Sequence, residues 1–369
     1  MKKSYLAVLL TLLIIGCKHP LAIYGEGDIM SATGDRDCLL EQYNDPNDPA
    51  CHENEVLPPD PYLETYYAQP RTGWHFHRWT RYCKDTPLNE CEFDLTASTV
   101  QAGAGLTMPA LGAIFREDTI VGYDSFYMGH SLFYPMTLGI PGHASTAGFT
   151  DHTQTTYFFP AIAGSPLYIW NNPTSKAAVE AVLDQGDVEL FGMAIHHDEL
   201  GIEGYRLWVD YALQQNPDTR FFIGIPWEWY PDTTTAAAYE ASWQAYHPAT
   251  VHSIIDQLRI EFPYTDFFCI PYGEAGVELY NLWDANNLPD VQALVLDPNN
   301  PTPSVFLDSR GHADSILEDL AELVFLNSIY GVDMTTYSHT PPYITDLKAI
   351  ADSIATGHDS NYNAPYLTP

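Results

Sequence analysis

From Asp118 to about Tyr343 this chain alternates short apolar runs with longer amphipathic segments, and that alternation restricts the fold more than any other feature. Ser125–Met128, Val188–Ile195, Arg220–Pro226 and Asp266–Pro271 are short and largely apolar, as strands buried on both faces are. Lys176–Leu183, Tyr205–Gln215, Thr234–Arg259 and Asp314–Tyr330 read as helices; the last places Ile316, Leu320, Leu323 and Val324 at helical spacing. Strands alternating with helices pack as a parallel sheet with helices on both faces, so the expected fold class is α/β. Ligands of such sheets bind beyond the carboxyl ends of the strands. Ser131 and His196 each fall just past a predicted strand end.

The first third reads differently. Residues 20 to 115 hold turn residues, short β-rich runs and two cysteine loops, so a small disulfide-bonded all-β domain is expected there. Tyr62–Ala68 and Gly73–Trp79 read as strands, the second alternating Trp74 and Phe76 with His75 and His77. Before it, Met1-Lys2-Lys3, an apolar run from Tyr5 to Ile15 and then Gly16-Cys17 describe a secretory signal too short for a membrane span. In an exported chain, close cysteine pairs read as disulfides: Cys38 with Cys51 and Cys83 with Cys91. A zinc site on those four lacks the usual C-x2-C spacing. Cys269 lies in an apolar run and reads as a buried core thiol. The 15 Lys and Arg against 48 Asp and Glu give a formal charge of -33, which repels nucleic acid and excludes it as a partner. No cofactor and no metal is expected; His196-His197-Asp198-Glu199 lacks the H-E-x-x-H spacing of a zinc helix.

The chemistry sits in two places. Gly129-His130-Ser131-Leu132 follows the run ending at Met128, and Asp308-Ser309-Arg310-Gly311-His312 lies far downstream. A serine hydroxyl is a weak nucleophile unless a base takes its proton and a third group orients that base. Ser131, His312 and Asp308 are the candidates, in the order Ser, Asp, His. His130 reads as structural, and Trp227-Glu228-Trp229-Tyr230 as either a sugar-binding edge or packing.

Three resemblances sharpen these expectations. Leu13-Ile14-Ile15-Gly16-Cys17 resembles a bacterial lipobox, which implies cleavage before Cys17, acylation of that residue and anchoring to a membrane, the outer membrane by default after Lys18. Gly25–Ser31, Cys38, Cys51, Ala68–Trp74, Phe76–Trp79, Tyr82-Cys83, Cys91–Phe93 and Ala113–Phe115 together resemble an internalin-type bacterial B repeat, a spacer or adhesive module. Phe126–Leu132, Ala163–Leu167 with Trp170, and Phe306–His312 resemble the first, second and last blocks of the SGNH (GDSL-like) hydrolase superfamily, in that order. That resemblance implies a three-layer sandwich and serine ester hydrolysis. It also implies an oxyanion hole from the backbone N–H groups of Ser131 and Gly164. The chain departs from the pattern twice. Asp308 stands four residues before His312 instead of three, with Ser309 in the usual acid position, so either Asp308 or a backbone carbonyl orients the imidazole. The stretch that matches the third block, Gly192–Glu199, lacks the family's Asn, and His196 or His197, with His196 favoured, is expected to donate in its place.

The expected organisation is a signal segment over 1–16, an anchor and β-rich module over 17–115, an SGNH-like domain over 116–345 and a tail over 346–369. The expected function is an exported, lipid-anchored serine esterase acting on an ester substrate such as an acylated polysaccharide. The alternative is an inactive chain of the same fold that binds glycans or surfaces.

Overall fold

The computed structural model describes residues 17–364 except 57–60, 85, 87, 104 and 200, so the expected signal segment over 1–16 lies outside the described residues. The chain divides into two compact units, Met1–Thr119 and Ile120–Pro369.

Among the described residues the first unit holds eight strands: β1 (Cys17–Lys18), β2 (Leu21–Tyr24), β3 (Gly27–Ser31), β4 (Glu55–Val56), β5 (Tyr62–Pro70), β6 (Trp74–Trp79), β7 (Glu90–Leu95) and β8 (Leu111–Glu117). They form sheets in the orders β2-β8-β6, β3-β5-β7 and β1-β4. The unit is β-rich, not all-β, because three short helices interrupt it: α1 (Leu40–Tyr43), α2 (Pro49–His52) and α3 (Ala97–Ala102). Local chemistry explains α2. Pro49 occupies its first turn, where its missing N–H is harmless, and Asp48 caps it by accepting the Ala50 N–H at 2.9 Å. The even alternation expected along β6 fails at a bulge between Phe76 and Arg78, which shifts the register against β8. Cys38–Cys51 and Cys83–Cys91 are disulfides, which removes the zinc alternative for these four residues. Cys17 is buried, with Sγ 3.2 Å from His19 Nε2. β8 closes the module and runs on to Glu117, so the unit ends slightly later than the expected residue 115.

The second unit holds a five-stranded, wholly parallel sheet. Its strands are β9 (Asp124–Gly129), β10 (Thr153–Phe158), β11 (Leu190–Ala194), β12 (Arg220–Gly224) and β13 (Phe267–Ile270), in the order β10-β9-β11-β12-β13. A parallel pair, β14 (Ala293–Val295) with β15 (Ser304–Phe306), lies apart from it. The helices are α4 (Ile140–Ala147), α5 (Pro166–Asn171), α6 (Pro173–Leu183), α7 (Glu203–Gln215), α8 (Ala236–Glu261), α9 (Glu274–Asp284), α10 (Ser315–Tyr330) and α11 (Leu347–Gly357). Every residue of β11, β12 and β13 is buried, so both faces of the sheet are covered, as the apolar runs require. β10 carries the polar sequence Thr153-Gln154-Thr155-Thr156 and is partly exposed; an edge strand has no apolar run to announce it.

One expectation is corrected outright. The expected tail over 346–369 begins with a packed helix: Asp346 caps α11 by accepting the Ala349 N–H, and Leu347, Ala351 and Ile354 are buried in the core. Their i, i+4, i+7 spacing is that of a helix with one apolar side. Among the described residues no helix is long and apolar enough to cross a membrane.

Candidate active site

The chain leaves β9 toward β10 on one side and returns to β11 on the other, so the end of β9 is the point where the strand order reverses. A crevice opens at such a point in a parallel sheet. Ser131 stands there, two residues beyond β9, in a turn where Phe133 and Tyr134 donate their N–H groups to His130 O at 3.0 and 2.9 Å. Gly129 has no room for a side chain: a Cβ would lie 2.5 Å from the Phe133 ring and 2.9 Å from Ala194 Cβ. His130 fastens this turn to the next strand. Its Nε2–H donates to Ile195 O at 2.9 Å, and its Nδ1 accepts the Leu132 N–H at 3.3 Å. Tyr272 donates its hydroxyl to Leu132 O at 2.7 Å from the side of β13.

His312 arrives from β15 on a tight loop. Leu307 N–H donates to His312 O at 2.7 Å, and Gly311 N–H to Asp308 O at 3.0 Å. Gly311 has φ +88°, a left-handed conformation that a side chain resists, and this turns the chain back on itself. The loop brings Asp308 Oδ2 to 2.7 Å from His312 Nδ1, while Oδ1 accepts the N–H groups of Arg310 and His312 at 2.9 and 3.3 Å. The extra residue between acid and base is thus absorbed in the turn, and the backbone-carbonyl alternative is not needed. Ser309 is exposed on the tip. Burial pushes the Asp308 carboxyl up, but its bonds to the His312 ring and to the backbone, with the His312 charge, outweigh that and hold it below the usual range. An ionised Asp308 can only accept, so Nδ1 carries the imidazole proton and Nε2 is left as an acceptor. Ser131 Oγ lies 2.9 Å from that Nε2. Acid, base and hydroxyl therefore form one continuous hydrogen-bonded chain.

The proposed oxyanion donors gather around the same turn. Gly164 packs on the backbone just before the serine, where a Cβ would come within 2.8 Å of Gly129 C and O. Among the described residues the Ser131 backbone N–H makes no hydrogen bond. His196 is buried beside His130, with the rings edge to face at 5.3 Å. Its Nδ1 accepts the Asp198 N–H at 3.2 Å, so a neutral His196 carries its proton on Nε2, which is enclosed and has no partner among the described residues. His197 stacks on His196 at 4.7 Å, and Trp229 meets both rings edge-on.

Two residues of this site were not assigned from sequence. Trp227 is fully buried and donates Nε1–H to Gly311 O at 2.7 Å, fixing the loop that carries His312. The aromatic run is thus divided: Trp227 packs, Trp229 borders the histidines, and Tyr230 is exposed. Glu199, also buried, accepts the Leu167 N–H at 3.0 Å at the start of α5 and so ties the end of β11 to the segment after Gly164. An acid facing a helix N-terminus is a stabilising arrangement. The signal for both was present only as residue type; their partners lie 84 and 32 residues away in sequence.

The buried histidines make stability pH-dependent. Burial lowers the His130 and His196 pKa values from 6.5 to about 4, with neighbouring histidine charges adding to the effect. The unfolded chain protonates both near pH 6.5 and the folded chain does not until about pH 4. Their stabilising effect is therefore complete above about pH 6.5 and is lost as pH falls toward 4. His130 alone should account for about 3 kcal/mol over that window. Urea unfolding at pH 7.5, 5.5 and 4.5 measures it. The wild type should lose stability more steeply than His130→Asn, and equal slopes would count against a neutral buried His130.

No family model and no curated protein matches the chain. Solved structures similar to it include a DUF4886 family protein from Bacteroides uniformis, at 12% identity and TM-score 0.41, covering 64% of this chain and 94% of that one. A putative GDSL-like lipase from Parabacteroides merdae shows 10% identity and TM-score 0.35, with 56% and 94% covered. The salicylyl-acyltransferase SsfX3 of a tetracycline biosynthetic pathway shows 11% identity and TM-score 0.34, with 75% and 73% covered. At these values each is a distant likeness, and the chemistry of the chain is read from its own residues.

Proposed function

We propose that this protein is a serine ester hydrolase in which Ser131 is the nucleophile, His312 the general base and Asp308 the group that orients it. One observation carries this reading: Nε2 of His312 lies 2.9 Å from Ser131 Oγ while Nδ1 lies 2.7 Å from Asp308. His312 takes the hydroxyl proton as Ser131 attacks the ester carbonyl, then returns it to the leaving alcohol. Water hydrolyses the acyl-enzyme with the same base. The backbone N–H groups of Ser131 and Gly164 and the Nε2–H of His196 stabilise the oxyanion. The Nε2–H of His196 has no partner among the described residues and would join that set once substrate binding uncovers it, where the third block offers no Asn.

The substrate class we favour is an acylated polysaccharide, for which Trp229 and Tyr230 supply aromatic surface at the edge of the site. The protein would be exported and held to the outer membrane through lipid on Cys17. Such a modification requires Sγ to leave its buried position beside His19. The inactive alternative drew its support from the displaced Asp308 and the missing Asn of the third block; the 2.7 Å contact between Asp308 and His312 speaks against the first of these.

Hydrolysis of short-chain nitrophenyl esters by the wild type, absent in Ser131→Ala, tests the reading; an inert wild type on these and on acetylated glycans overturns it. Trp227→Phe is a finer test of the loop. Loss of the buried bond to Gly311 O should cost about 1–3 kcal/mol of stability. Because His312 then loses its fixed position, kcat should fall about 10- to 100-fold with KM little changed. A kcat equal to wild type would show that the loop holds itself.

A further inference from the structure

Away from the serine, three side chains from distant parts of the chain converge at the edge of the sheet. Cys269 lies on the edge strand β13, His252 on α8, and His358 at the end of α11. One ligand atom from each lies within 4.8 Å of the others. Cys269 Sγ is 3.3 Å from His358 Nε2. The far side of the His358 ring is already committed: Nδ1 lies 2.6 Å from Asn363 Oδ1, an acceptor, so the proton sits on Nδ1 and the Nε2 lone pair faces the sulfur. An oxygen that accepts from the far ring nitrogen orients metal-binding histidines in this way. His252 is held by stacking on Tyr362, with ring centroids 3.6 Å apart, and its Nε2 is enclosed without a hydrogen-bond partner among the described residues.

We infer that Cys269, His252 and His358 form a structural site for a zinc-class divalent cation that clamps the C-terminal segment to the sheet edge. The donor set is one sulfur and two imidazole nitrogens, which selects late transition metals over magnesium or calcium. A tetrahedral zinc with Zn–S near 2.3 Å and Zn–N near 2.0–2.1 Å places sulfur and nitrogen about 3.5 Å apart, close to the separation of Cys269 and His358. On binding, the Cys269 S–H bond breaks, the proton passes to solvent, the thiolate and two neutral imidazoles bond the cation, and water fills the fourth position. Arg259, Asp256 and Asp359 are the charged groups around it. Arg259 is tied to Phe267 O and Asn361 O, Asp256 to the Tyr362 hydroxyl, and Asp359 to the Asn361 N–H. The two carboxylates offset the added positive charge that Arg259 opposes. The second histidine cluster, His196-His197-Asp198, is a poorer candidate because Nδ1 of His196 already accepts a backbone N–H.

The full chain carrying Cys17→Ser, purified with its disulfides intact and stripped by chelator, has Cys269 as its one free thiol. Cobalt(II) added to it should bind at one equivalent, with a near-ultraviolet thiolate-to-cobalt band and the visible bands of a four-coordinate ion, both bleached by zinc. Zinc should raise Tm by about 5–10 °C at 100-fold excess over Kd. Cys269→Ser should abolish the near-ultraviolet band, and His252→Gln and His358→Gln should each weaken binding at least 10-fold. The two histidine variants keep the buried strand intact and decide the matter if Cys269→Ser does not fold. The inference is overturned if the near-ultraviolet band never appears, if binding survives Cys269→Ser undiminished, or if both histidine variants bind as wild type does.

Discussion

Ser131→Ala lowers kcat for ester hydrolysis by about 10⁴- to 10⁶-fold and leaves the fold unchanged; this is the largest effect expected of any single substitution here. The side chain is half-buried, on a turn whose shape is set by other groups: His130 bonded to Ile195 O, Gly129 wedged between Phe133 and Ala194, and Tyr272 bonded to Leu132 O. Removing one oxygen takes away the bond-forming atom and the acceptor-side contact of His312, and nothing else. Residual rate should come from the oxyanion donors alone. The measurement is steady-state hydrolysis of a nitrophenyl ester beside a thermal melt. An unchanged melt with lost turnover supports the nucleophile assignment, whereas retained turnover would falsify it.

Asp308→Asn is expected to reduce kcat about 10²- to 10⁴-fold, with thermal stability little altered. The reason is tautomeric. A carboxylate forces the imidazole proton onto Nδ1, while an amide at the same place can donate its own N–H to Nδ1 and so move the ring proton to Nε2. With a proton on Nε2, His312 has no lone pair for the Ser131 hydroxyl. The loss should be milder than in a fully buried triad, since about half of the Asp308 side chain is exposed and water competes for the ring. Moving the acid to the usual spacing, Asp308→Ser with Ser309→Asp, should not restore activity, because position 309 is exposed at the tip of the Gly311 turn. Wild-type activity in Asp308→Asn would mean that the loop backbone, not the carboxylate, orients the base.

The parallel sheet was legible because its strands are buried on both faces. β9, β11, β12 and β13 each coincide with an apolar run read from the sequence, and α6, α7, α8 and α10 with the amphipathic segments read as helices. The elements that were not legible share a physical reason. β10 is half-exposed and so carries no apolar run. α11 packs a narrow stripe of Leu347, Ala351 and Ile354 in a short segment, which composition alone does not separate from a tail. The bulge in β6 changes register without changing residue type.

The site divides in the same way. Residue chemistry by itself determined which groups are able to act: a serine after a strand end, a histidine with an acid beside it in sequence, and cysteines close enough to pair. Those assignments depend on neighbours a few residues apart, and the sequence holds them. Tertiary structure alone decided whether Asp308 reaches His312 across the longer spacing, since that depends on the left-handed turn at Gly311 and on Trp227, 84 residues away, holding Gly311 O. It alone left the Nε2–H of His196 without a partner among the described residues and brought Cys269 to His358 from 89 residues away. Contacts of that separation exist only once packing has closed the intervening chain, and no local pattern encodes them.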